Sequence, residues 1–96
     1  MTQELIDILK IVKSKLTDES DLIWTRYDTS KQLRDELDNY IKQLKEGDSS
    51  CLEKLNMHFA PTSTFQEHSI VNGWADEYIK LSDRFDKIYE KQNNHR

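Results

Sequence analysis

Three kinds of side chain in this 96-residue chain could carry chemistry: one cysteine, three histidines and several closely spaced carboxylates. Cys51 stands beside Ser50 near the start of an expected short helix, where a thiol's pKa falls and its nucleophilicity rises. A catalytic thiol also needs a histidine base and a group to orient that base, and no spacing in the sequence supplies them. Cys51 therefore reads as a small buried apolar group. His58 and His68, with Glu67, are the one set with metal-ligand chemistry, because His95 belongs to the polar tail. The two histidines stand ten positions apart across Pro61, and neither HExxH nor His-x3-His occurs. No metal and no cofactor are expected. The neighbouring carboxylates Asp35 and Glu36, or Asp76 and Glu77, point about 100° apart on a helix and do not converge on one substrate atom. No nucleophile elbow, phosphate loop or dinucleotide fingerprint is present. The chain is not expected to be an enzyme, and no catalytic residue is assigned.

The elements that would position these groups follow from hydrophobic spacing. Leu5, Ile8, Leu9, Val12 and Leu16 recur at steps of three and four, which predicts an amphipathic helix from a Thr2 cap to about Leu16. Ile6 and Ile11 broaden its stripe, so this helix should touch neighbours on more than one side. Leu33, Leu37, Tyr40, Ile41 and Leu44 define a second strong stripe, with Gly47 as its stop. Between the two, Leu22, Ile23, Trp24 and Tyr27 suggest a separate helix over about 20–28, or one kinked helix through to 46. Ser50 and Glu53 have capping-box spacing ahead of a short helix with Leu52, Leu55 and Phe59 inward, ended by Ala60-Pro61. Residues 61–73 are the least regular stretch, although Ser63 with Gln66 and Thr64 with Glu67 allow a turn or two of helix. Trp74, Tyr78, Leu81, Phe85, Ile88 and Tyr89 predict a last helix over about 74–90. The expectation is an all-α fold: a compact antiparallel bundle of about four main helices with short extra helical turns, in one domain over 1–91. Residues 92–96 form a polar tail.

Composition agrees. Two glycines and one proline are too few for a sandwich or barrel, which needs turn residues every 8–12 positions. A single cysteine excludes an internal disulfide. With no basic leader and no long apolar run, the expected location is cytoplasmic. The net charge of −4 is uneven: residues 1–16 balance at +1, residues 54–96 at zero, and residues 17–53 at −5. A surface without clustered cations disfavours nucleic acid and anionic membranes as partners, and allows a basic protein.

The acidic third of the chain also carries aromatics, which supply interface anchors where carboxylates steer a cationic partner. Asp18, Glu19, Asp21, Trp24, Tyr27 and Asp28 form that group. Phe65, with Gln66, Glu67 and His68, offers a second edge in the irregular segment; the alternative packs Phe65, Ile70 and Val71 over the bundle end. The functional expectation is a small acidic binding protein, of the immunity-protein kind, that occludes the cationic cleft of a toxin enzyme as a monomer or weak homodimer. The alternative is a helical module that self-associates or docks in a larger assembly through the broad stripe of the first helix.

Overall fold

A computed structural model describes residues 2–20, 22, 27–60 and 64–93, with the side chains of 92 and 93 excepted. Five helices carry all the regular structure of these residues: α1 (Thr2–Lys15), α2 (Ser30–Lys45), α3 (Leu52–His58), α4 (Thr64–Asn72) and α5 (Ala75–Asn93). The all-helical expectation holds, with three long helices and two short ones.

α1 is the central element and packs against both α2 and α5. That placement explains its broad stripe: Leu5, Ile6, Ile8, Leu9 and Val12 are all buried, and Ile11 packs against the core's edge. Ile6 is 3% exposed and Ile11 is half-buried, so most of the broad stripe is used within the chain. Each such side chain contributes about 1.5–3 kcal/mol on leaving water. Lys13 pairs with Asp38 of α2 at 2.7 Å and Lys15 with Glu77 of α5 at 2.8 Å, contacts that fix orientation more than stability.

α2 starts and stops on local chemistry. Thr29 is the N-cap in an extended conformation, its hydroxyl accepting from Gln32 N–H while the Gln32 side chain accepts from Thr29 N–H. At the other end Gly47 takes φ 83°, and the Gly47 and Asp48 amides donate to the Leu44 and Gln43 carbonyls. This is the glycine stop the stripe predicted.

The expected helix over about 20–28 does not form in the residues described there. Ser20, Leu22, Tyr27 and Asp28 are all non-helical, and positions 21 and 23–26 lie outside the described residues. Ser20, expected to open a helix, instead donates its hydroxyl to the Lys15 carbonyl and its amide to Thr17, closing the end of α1. The extended Thr29 also excludes a continuous helix to 46. The Ser50–Glu53 capping box is likewise not built: Cys51 takes the N-cap position without a side-chain bond, and Ser50 N–H is held by Asp48 at 2.9 Å. α4 is longer than the turn or two expected. It ends at Gly73, φ 83°, where Trp74 N–H donates to the Ser69 carbonyl.

Candidate functional site

α3 has seven residues, and an open cleft lies on each side of it. The first, of about 570 Å³, is lined by Tyr27, Gln32, Glu36, Tyr40, Lys54, Met57, His58 and Thr64. The capped start of α2 sets Glu36 one turn before Tyr40, beside the buried stripe of Leu33 and Leu37. α3 brings His58 to it, and Thr64 opens α4 on the far side of the imidazole.

One oxygen of Glu36 organises the cleft. Oε2 accepts from the Tyr27 hydroxyl at 2.7 Å and contacts His58 Nε2 at 2.7 Å. Burial alone would push the Glu36 carboxyl up. The Tyr27 and His58 bonds, the His58 charge and Tyr40 outweigh it and hold the carboxyl below its ordinary range. The same carboxylate, with burial as the larger cause, drives the Tyr40 phenol far upward. An ionised carboxylate only accepts, so His58 Nε2 carries a hydrogen, and in the tautomer protonated there alone Nδ1 presents a lone pair. Thr64 Oγ1 lies 3.2 Å from that nitrogen, and in that tautomer the hydroxyl is the donor. Phe65 stacks on the His58 ring at 5.1 Å, and the rings of Tyr27 and Tyr40 lie tilted to it at 6.3 and 6.4 Å. Carboxylate, imidazole and hydroxyl stand in a row.

The second opening, of about 420 Å³, runs between α3 and α5, with Phe59, Tyr78 and Ile79 among its apolar lining and Asp83 and Asp86 at its acidic side. Tyr78 donates its hydroxyl to the Phe59 carbonyl at 2.9 Å, which stitches the end of α3 to α5. Phe59 in turn stacks on Phe85 at 4.5 Å. Ile79 is 57% exposed. Burial raises the Asp86 carboxyl above its ordinary range, and crowding by Asp83 and Glu90 adds to it. No salt bridge reaches Asp83, Asp86 or Glu90 among the described residues.

The residues named from sequence fall in different places. Tyr27 is half-buried at the first cleft, with Asp28 exposed beside it. Asp18 is exposed but bridged to Arg34 at 2.8 Å, and Glu19 is exposed. Asp21 and Trp24 lie outside the described residues. Glu67 is half-buried on α4. Phe65, expected at a binding edge, is instead a core residue: it is 0% exposed and packs against His58 and Phe59, out of reach of a partner. His68 is equally buried, its Nδ1 accepting from Trp74 Nε1 at 3.0 Å, so the binding edge expected at 65–68 does not exist as drawn. Ile70, expected in the same packed lid as Phe65, is 56% exposed.

Several acids of the middle third are met by the chain itself: Asp18 by Arg34, Asp35 by Lys31 and Asp38 by Lys13. Glu36, His58, Tyr40 and Thr64 were not joined by sequence reasoning. The available signal was the placement of Glu36 and Tyr40 four apart on one face of α2, with the carboxylate bordering an apolar stripe. Comparison of the chain with protein-family profiles, with characterised proteins and with solved structures yields no match.

Proposed function

We propose that this chain is a small acidic binding protein that covers a cationic surface of another protein, the active-site cleft of a toxin enzyme being a target of the right chemistry. The observation that carries this reading is the α3–α5 groove, where exposed Ile79 adjoins Asp83 and Asp86, carboxylates with no cation bridged to them among the described residues. Crowded acids at a partly apolar groove are relieved by an incoming Lys or Arg, and the groove gives that contact an apolar centre. The self-paired acids around Asp18 and Asp38 add little to affinity. Glu19 and Asp28, exposed at the start of the molecule's acidic third, extend the field that steers a basic partner.

A photo-crosslinking residue placed at Ile79 in the native cell should trap a protein with a basic surface. Binding of the purified pair should weaken steeply with salt. Ile79→Lys combined with Asp83→Lys should lower affinity at least about tenfold, while Met57→Lys on the other side of α3 leaves it unchanged. If the partner is a toxin enzyme, co-expression should rescue growth. A trapped partner that binds independently of salt and of Asp83, or the absence of any adduct at 79, rejects the reading.

A further inference from the structure

The first cleft holds a grouping that partner docking does not use. We propose that Glu36, His58 and Thr64 form a nucleophilic relay, and that the cleft takes a small carboxylic ester whose acyl group passes to Thr64 Oγ1 and then to water. The inference stands apart from the groove between α3 and α5 and does not depend on a protein partner.

Glu36 Oε2 at 2.7 Å fixes a hydrogen on His58 Nε2, so in the neutral tautomer the basic lone pair at Nδ1 faces Thr64 Oγ1 at 3.2 Å. A nucleophile bonded to a base, and the base to an orienting carboxylate, is the arrangement that activates a hydroxyl. The parts come from α2, α3 and α4, and the supporting bonds are in place. Tyr27 donates to Glu36 at 2.7 Å, which keeps the carboxylate an acceptor, and Phe65 stacks on the imidazole at 5.1 Å, which fixes its plane.

The chemistry balances with water as the only co-reactant. Thr64 Oγ1 bonds to the ester carbon as its proton moves to His58 Nδ1, and Glu36 stabilises the imidazolium. The tetrahedral adduct then expels the alcohol, which takes the proton from His58. In the second half a water gives its proton to His58 and its oxygen to the acyl carbon. Thr64 leaves, recovering the proton, and a carboxylic acid is released. Thr64 is the first residue of α4, and the positive end of that helix is the source of oxyanion stabilisation in this scheme. The lining sets the substrate class. Tyr27, Tyr40 and Met57 offer apolar contact to the acyl chain, and Lys54 offers a cation to an anionic group on the leaving side.

The test uses the whole protein and p-nitrophenyl acetate, read by intact mass and by fragmentation to locate the adduct. One acetyl group should appear on Thr64 with a burst of nitrophenol. Thr64→Val, which keeps the side chain's shape, should abolish that adduct. His58→Gln should slow its formation at least about a hundredfold, the scale of a lost general base. Thr64→Ser should keep the adduct, which a purely structural hydroxyl would not require. Circular dichroism confirms that each variant is folded, and if His58→Gln fails to fold the two Thr64 variants decide the matter. A folded wild-type protein with no acetyl on Thr64, or acetylation confined to lysines and equal in Thr64→Val, overturns the proposal.

Discussion

Phe65→Ala separates a core role from an interface role. Phe65 is 0% exposed, stacked on His58 at 5.1 Å and set edge-on to Phe59 at 4.9 Å, and Phe59 stacks in turn on Phe85. Removing a buried ring costs its transfer energy plus the cavity left behind, about 3–5 kcal/mol in cores of this kind. That is a large share of the roughly 5–15 kcal/mol that holds a domain of this size together. At about 4–8 °C per kcal/mol for a chain of 60–100 residues, the melting temperature should fall by at least about 12 °C. Urea unfolding followed by circular dichroism and tryptophan fluorescence measures the loss directly. Phe65→Leu, which retains most of the apolar volume, should cost clearly less. A loss below about 1 kcal/mol for the alanine variant would refute the packing argument, since no fully buried aromatic surrounded by rings can be removed so cheaply.

Two further outcomes follow from titrating groups. The Asp86 carboxyl is raised in the folded protein by burial and by Asp83 and Glu90, so its charge destabilises the fold at neutral pH, and stability is recovered as pH falls through the folded-state value. Asp86→Asn should therefore raise the melting temperature at pH 7 and leave it unchanged near pH 3; an equal effect at both values contradicts the crowding. Cys51 is 2% exposed and its thiol is pushed up, chiefly by burial. An aromatic disulfide reagent should leave it unmodified in the native protein and modify it on unfolding, whereas rapid native reaction would mean a thiolate at the start of α3.

The three long helices were legible because each buries one continuous face, and the period of apolar residues reports that face directly. In α1 even the excess was informative: Ile6 and Ile11 implied two neighbours, and α2 and α5 are those neighbours. The short helices were harder. α4 buries Thr64, Phe65, His68 and Ser69, a mixed polar set with no apolar stripe to read. The errors at the start of α3 and near 20–28 share a cause. Ser, Thr and Asp satisfy whichever backbone group is nearest, and Ser20 serves the end of α1 where the sequence also allowed it to begin another helix. Asp48 likewise took the Ser50 amide that a capping box would have arranged differently. The first cleft was least visible of all. Glu36 and His58 are 22 residues apart, Thr64 belongs to a third helix, and only the packing of α3 between its neighbours brings them together.

That packing makes the two clefts energetically dependent on one element. Seven residues are far below the ~12–15 at which a helix begins to hold itself in water, and α3 has no side-chain cap. Its stability comes from outside. Leu52, Leu55 and Phe59 are buried; His58 is tied to Glu36 of α2 and Thr64 of α4; the Phe59 carbonyl is held by Tyr78 of α5. The bonds that build the Glu36 cleft and the groove beside Ile79 are thus the same bonds that keep α3 folded. A molecule seated in either opening adds contacts to the folded helix and none to its unfolded form, so it draws on the same free energy as these bonds. By the same linkage, a substitution that loosens α3 as a whole, such as Leu55→Ala, loosens a wall of both openings at once.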